Sequence, residues 1–208
     1  MKILIADDHL LLRRGIRSIL EEMPEIKSVS EASNGHEAIR AIREQDFDLL
    51  LLDISMPGKD GLDTLKQLRY ENPDIRILML TMYPEDRYAI RTLKSGASGY
   101  LKKDCSPGEL KKSVREVMAT GKYISPSLAL TLAQSIDTTS DKSPWELLSD
   151  REMQVLRLLA SARTVNEIAE ELNISAKTVT TYKGRILEKL NLRNSAELIR
   201  YAIENDIV

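Results

Sequence analysis

The run Asp48-Leu49-Leu50-Leu51-Leu52-Asp53 constrains the fold more than any other part of this chain. Four consecutive leucines leave no polar side, so as an extended segment they must be buried on both faces. That is the situation of a strand inside a parallel sheet covered by helices on each side. Short apolar runs at 2–7, 28–32, 49–53, 75–81 and 99–101 alternate with amphipathic segments at 10–22, 35–45, 61–70, 84–94 and 107–120. Strand and helix patterns in strict alternation predict an α/β domain with a five-stranded parallel sheet.

After Gly121 the pattern changes. Residues 126–136 read as one short helix, and Asp137-Thr138-Thr139-Ser140-Asp141-Lys142-Ser143-Pro144 is polar and aperiodic, as a linker is. From Leu148 onward only helical patterns occur. The expected organisation is an α/β domain at 1–121, a linker with a short helix at 122–147, and an all-α domain at 148–208.

Composition narrows the class. With 42% hydrophobic and 30% charged residues the chain reads as an ordinary globular protein, and 4% aromatics means an aliphatic core. A net charge of −2 excludes a uniformly basic coat, so any surface for a polyanion has to be local. Cys105 is the only cysteine, which excludes an internal disulfide, and no Cys/His cluster has zinc spacing. The apolar start is too short for a signal-peptide core and no later run approaches membrane length. The expected location is the cytoplasm, with no membrane partner.

In an open parallel sheet the working crevice lies at the carboxyl ends of the strands. Asp7 and Asp8 follow the first apolar run, Asp53 ends the third, Thr81 ends the fourth, and Lys103 follows the fifth. Carboxylates gathered at one edge repel one another unless a cation sits among them, and oxygen ligands of this kind suit Mg²⁺. A carboxylate can attack a phosphoryl group while metal and ammonium neutralise the phosphoryl oxygens. Asp53 is the candidate nucleophile. Asp8, helped by Asp7, is the candidate metal holder, and Thr81 and Lys103 are candidate phosphoryl-oxygen partners. Any one of these aspartates, taken singly, is as readily explained as a helix cap.

Asp7-Asp8-His9, the stretch from Asp53 through Met56-Pro57-Gly58 to Gly61, Leu80-Thr81, and Gly99-Tyr100-Leu101-Lys102-Lys103-Asp104 together resemble the receiver domain of response regulators, with its flavodoxin-like sheet. The resemblance implies that Asp53 accepts a phosphoryl group from a sensor histidine kinase. It implies Mg²⁺ bound by Asp8, Asp53 and the backbone carbonyl of Ser55, with Asp7 acting through water. Thr81 and Tyr100 resemble the switch pair that responds to phosphorylation. Asp104 stands where many receivers have proline. A cis Lys103–Asp104 bond, as the family would have it, would be a non-proline cis bond. Met82 and Tyr83, bulkier than the residues of many receivers, are expected to screen the pocket from attacking water.

In the last part, Ser149-Asp150-Arg151-Glu152 has the form of a capping box opening a helix. Residues 165–172 form a second helix, Asn173-Ile174-Ser175 a turn, and 176–190 a third helix, the arrangement of a helix-turn-helix. On the third helix Val179, Tyr182, Ile186 and Leu190 share the packing face. Lys177, Thr180, Thr181 and Gly184 lie opposite, with Lys183, Arg185 and Lys189 toward the flanks. From 149 to 208 nine basic residues balance nine acidic ones, yet 177–193 holds five basic residues against Glu188 alone. A local excess on one helix is the footprint of DNA binding, although a solvated charged face has the same count.

Leu148-Ser149-Asp150-Arg151-Glu152, Asn166-Glu167-Ile168-Ala169 and Ser175-Ala176-Lys177-Thr178-Val179 with Tyr182 resemble the LuxR-type output domain. With the receiver, this is similar to the NarL/FixJ class. The resemblance implies promoter DNA, double-stranded, as a partner and a homodimer on activation, with the last helix, 195–205, in the pairing. Thr180, Thr181 and Gly184 would face the groove, while Lys177, Thr178, Lys183 and Arg185 would hold phosphates. Gly184 departs from relatives with a long basic side chain there. Two other readings stay open at this point. One is a phosphohydrolase with an aspartate nucleophile, although Ser55 is a poor general acid. The other is a switched module that binds protein or RNA.

Overall fold

The computed structural model describes residues 1–82, 85–137, 145, 148–172, 174–205 and 207. The chain divides into two compact units, Met1–Thr139 and Ser140–Val208. The first contains β1 (Lys2–Ala6), α1 (Leu10–Glu21), β2 (Ser28–Ala32), α2 (Gly35–Glu44), β3 (Leu49–Asp53), α3 (Gly61–Glu71), β4 (Arg76–Thr81), α4 (Glu85–Lys94), β5 (Gly99–Lys102), α5 (Pro107–Thr120) and α6 (Pro126–Asp137). The second contains α7 (Asp150–Ala160), α8 (Val165–Glu171), α9 (Ala176–Lys189) and α10 (Ser195–Glu204).

The strands form one parallel sheet in the order β2-β1-β3-β4-β5. Every residue of the leucine strand β3 is buried. Alternation along the strand divides the run between two layers. Leu49 and Leu51 join Ile3, Ile5, Leu78, Leu80 and Leu101 under Ile16 and Leu20 of α1 and Leu110, Val114 and Val117 of α5. Leu50 and Leu52 point the other way and are equally buried. Because β1 lies between β2 and β3, the chain reverses its winding there, which opens the crevice at the carboxyl ends of β1 and β3. Ala6 pairs with Leu52, so the residues just beyond each, Asp7 and Asp53, emerge side by side.

Three strand ends differ from the periodicity: β1 stops at Ala6 rather than 7, and two others shift for physical reasons. β4 begins at Arg76 rather than 75, where the guanidinium of Arg69 takes the Ile75 carbonyl at 2.6 Å. β5 continues to Lys102 because that residue pairs with Thr81 and the next amide, Lys103, donates to the Thr81 carbonyl at 2.8 Å. No peptide bond among the described residues is cis, so Lys103–Asp104 is trans, unlike the family bond. Residues 122–137 pack into the first unit. Tyr123 donates its amide to Ser98 at 2.8 Å, and α6 buries Leu128 and packs on α4. Residues 138–144, 146 and 147 of the linker expectation lie outside the described residues, as does Asn173 of the turn.

Each of α7, α8, α9 and α10 starts with a side-chain cap that satisfies an otherwise orphan amide. Ser149 with Glu152, and Thr164 with Glu167, form capping boxes for α7 and α8. Ser175 and Asn194 cap α9 and α10. The core joins Leu148, Val155, Leu156, Ile168, Val179, Ile186 and Leu198. Among the described residues no helix is long and apolar enough to cross a membrane.

Gly61 sets the loop below the crevice. A Cβ there would lie 1.9 Å from the Asp53 carbonyl oxygen, a backbone atom that cannot yield. Gly15, exposed on α1, has nothing within 4 Å of such a Cβ. Gly61→Ala is therefore expected to destabilise the first unit by at least ~2 kcal/mol, as overpacking does. Gly15→Ala should stabilise it by up to about 1 kcal/mol through helix propensity. Urea unfolding of both variants checks the opposite signs; equal effects would contradict the close approach.

Candidate functional site

The crevice at the carboxyl ends of β1 and β3 collects the polar residues that the sequence singles out. Asp7, Asp53, Thr81 and Tyr100 are all buried. Lys103 reaches back from beyond β5 and places Nζ 2.7 Å from Asp7 Oδ2 and 2.7 Å from Asp53 Oδ2, its side chain only 4% exposed. Asp8 stands at the rim, exposed, and Ser55 is half-buried. Tyr100 lies wholly inside the sheet's packing, paired with Met79 across the β4–β5 ladder.

The electrostatics follow from burial. Loss of water raises the pKa of Asp53 from 3.8 to about 6; Lys103 and the Ser55 amide pull it down, and the Asp7 charge pushes it up. Burial also works against the charge on the Lys103 ammonium, but Asp53 and Asp7 outweigh it and its pKa is raised. The result at neutral pH is an ionised, poorly solvated and comparatively basic carboxylate at Asp53, with a fixed cation beside it. Cys105, half-buried nearby in sequence, has its thiol pushed to about 11 by burial and by Glu109 and Asp104, which leaves it inert at neutral pH.

One oxygen or nitrogen each of Asp7, Asp8, His9 and Asp53 lie within 4.8 Å of one another, a spacing that lets them share a metal ion. Two residues here go beyond the sequence reading. His9 Nδ1 lies 2.8 Å from Asp8 Oδ1, and the His9 amide donates to Asp7 Oδ1 at 2.8 Å. Arg13 is buried, donates to the Asp7 carbonyl, and ties its Nε to Glu31 at 3.2 Å. Helical spacing contained the signal for Arg13, which lies three and seven residues before the buried Ile16 and Leu20. Met82 is 72% exposed, so it screens little of the pocket, and Tyr83 lies outside the described residues.

The second unit holds the other candidate set. Val179 and Ile186 of α9 and its C-cap Leu190 are buried and Tyr182 is half-buried, while Lys177, Thr180, Thr181, Gly184 and Arg185 are exposed. Thr178 and Lys183 are half-buried at the edge of that face. The Thr178 hydroxyl lies 2.8 Å from that of the cap Ser175. Lys189 reaches α7, its ammonium 2.6 Å from Glu152 Oε2. Burial would raise the Glu152 pKa, but Lys189 and the amide and hydroxyl of Ser149 reverse this and it is lowered. The capping residue of α7 thereby anchors the far end of α9. The open basic face is left to Lys177, Lys183 and Arg185, with Arg193 beyond.

Comparison with known proteins agrees with both halves. The family "Response regulator receiver domain" matches residues 3–115, and "Bacterial regulatory proteins, luxR family" matches 146–202. The chain is 38% identical over 208 residues to the response regulator UvrY of Escherichia coli strain K12, covering all of this chain and 95% of that protein. It is 36% identical to the response regulator GacA of Pseudomonas syringae pv. syringae, covering all of this chain and 98% of that protein. Among solved structures it is similar to RcsB from Salmonella enterica serovar Typhimurium bound to promoter rprA in the presence of the phosphomimetic BeF3⁻. That similarity has a TM-score of 0.66 and 31% identity and covers 97% of each chain.

The raised pKa of Asp53 makes a prediction about stability. Between 3.8 and about 6 the folded protein holds a proton that the unfolded chain has released, so folding loses stability as pH rises through that window. In metal-free buffer Asp53→Asn should stabilise the first unit near neutral pH by roughly 1–3 kcal/mol. The gain should shrink as pH falls below about 6 and vanish near 4. Urea titrations across that range check it; a gain independent of pH would show that Asp53 is not the group titrating.

Proposed function

Since this chain belongs to the NarL/FixJ class of two-component response regulators, a receiver domain joined to a LuxR-type DNA-binding domain, we propose that Asp53 carries its phosphoryl group and that the exposed face of α9 reads its DNA. The protein regulates transcription by binding DNA, and its receiver takes its signal from a histidine kinase. The receiver is assigned to 1–121 and the output domain to 148–208.

The observation that carries the phosphoacceptor assignment is the buried arrangement of Lys103 between Asp7 and Asp53 at 2.7 Å from each. Burial makes the Asp53 carboxylate more basic than an ordinary one without protonating most of it at neutral pH. An Asp53 oxygen attacks phosphorus, the bond from phosphorus to the donor's leaving oxygen or nitrogen breaks, and an aspartyl phosphate remains. Lys103 would then pair with a phosphoryl oxygen, Thr81 would donate its hydroxyl to another, and Tyr100 would follow Thr81 as the switch partner. The hard oxygen donors of Asp7, Asp8 and Asp53 and the Ser55 carbonyl fit Mg²⁺ better than a softer ion. When bound, Mg²⁺ supplies charge neutralisation for the phosphoryl oxygens. In α9, Lys177, Thr178, Lys183 and Arg185 hold phosphates and Thr180, Thr181 and Gly184 face base edges. Two copies pair on activation, α10 contributing. The work is done in the cytoplasm and consists of signalling rather than turnover of a substrate.

Asp53→Ala is expected to abolish incorporation of a phosphoryl group from acetyl phosphate, and removal of Mg²⁺ to do the same, as read by intact-mass spectrometry. An alanine variant that still gains one phosphoryl group would overturn the assignment. Lys183→Ala and Arg185→Ala should weaken duplex binding on all sequences alike and each reduce the salt slope by about one. Fluorescence anisotropy across a salt series reads this. Loss confined to one sequence would mean that the pair touches bases instead.

A further inference from the structure

The outward face of α9 has a chemical character that its residue names do not convey. Thr180 donates its hydroxyl proton to the Ala176 carbonyl at 2.9 Å, and Thr181 donates its own to Lys177 at 3.0 Å. Each hydroxyl has only one proton, so neither side chain has a donor left for a ligand. What remains outward is a methyl group and a hydroxyl that can only accept. Both residues are exposed, outside the domain's core.

Gly184 lies one helical turn further along the same face, three residues from Thr181 and four from Thr180. It is exposed in a helix interior, where glycine is the least favourable residue after proline. A Cβ at Gly184 would meet nothing within 4 Å. The domain therefore does not need the clearance for its own packing. Gly184 thus leaves open space beside the two threonines, with Lys177, Lys183 and Arg185 on the same helix.

The major-groove edge of duplex DNA offers one apolar group, the C5 methyl of thymine. We propose that Thr180, Thr181 and Gly184 form a methyl-reading surface, and that the half-site bound by this protein presents thymine methyls to it. The inference rests on the reading that α9 enters the major groove. It differs from hydroxyl-mediated readout, in which the threonines would accept from a cytosine amino group.

The test uses the full chain, phosphorylated with acetyl phosphate, and duplexes enriched from a random-sequence library. In the best-binding duplex each thymine is replaced in turn by deoxyuridine, which removes the methyl and keeps the base pair. At the contacted positions affinity should fall about fourfold per methyl, the worth of one buried CH₂-sized group. Thr180→Ser and Thr181→Ser, which keep the hydroxyl and lose the methyl, should show a similar loss on the thymine duplex and no further loss on the deoxyuridine one. Thr180→Val and Thr181→Val should keep both the affinity and the sensitivity to deoxyuridine. Tolerance of deoxyuridine at every position, or sensitivity that survives in both serine variants, overturns the inference, as does loss of binding in the valine variants. If no duplex is enriched at all, the DNA-reading face itself is misassigned and the inference falls with it.

Discussion

Lys103 Nζ lies 2.7 Å from a carboxylate oxygen of Asp7 and the same distance from one of Asp53, with all three groups nearly removed from water. Two carboxylates forced side by side by the Ala6–Leu52 register could not both stay ionised there without a cation between them. Removing Lys103 from such a buried cluster typically costs about 3–5 kcal/mol, because it leaves the two carboxylates uncompensated. The rest of the first unit is arranged around keeping this cluster in place. The leucine strand carries Asp53 to the edge, the β4–β5 ladder sets the start of the Lys103 segment, and Arg13 holds the loop that bears Asp7. The same balance leaves Asp53 charged but poorly solvated, which is what a carboxylate nucleophile requires.

The second unit uses a partly buried charge pair for a different end. Glu152 closes the capping box of α7 and also binds Lys189, near the end of α9. One carboxylate therefore positions two helices at once, and the helix proposed to meet DNA is held at its far end by a contact that points away from the ligand. The near end is held by Ser175, whose hydroxyl accepts the Thr178 amide at 3.1 Å. A helix fixed at both ends presents its exposed residues as a rigid surface, so little ordering is needed when it binds.

Much of this was legible in the residues. The β3 run could only be a strand buried twice over, because no face of it is polar. The capping box at Ser149 and Glu152, and the apolar stripe of Val179, Ile186 and Leu190, placed α7 and α9 closely. Strand ends were less legible, because they depend on which distant group takes a carbonyl, as Arg69 does at Ile75. Segment 122–137 reads in sequence as part of a linker with one short helix at 126–136, and that helix is α6. The segment is instead tied to the first unit through Ser98 and the buried Leu128.

Residue type and spacing by themselves determined that three aspartates, a threonine and a lysine would meet at one sheet edge, since parallel strands deliver their carboxyl ends together. They also determined which face of α9 would be buried, because a 3.6-residue period leaves the apolar positions a single side. Only the tertiary structure decided how those groups are used. Whether Lys103 neutralises one carboxylate or two, whether Lys189 binds Glu152, and whether a threonine hydroxyl is free or spent on its own helix are all questions of side-chain partners. Spacing along the chain names the residues that share a face, but the partner is chosen by which oppositely charged or unsatisfied group packing brings within about 3 Å.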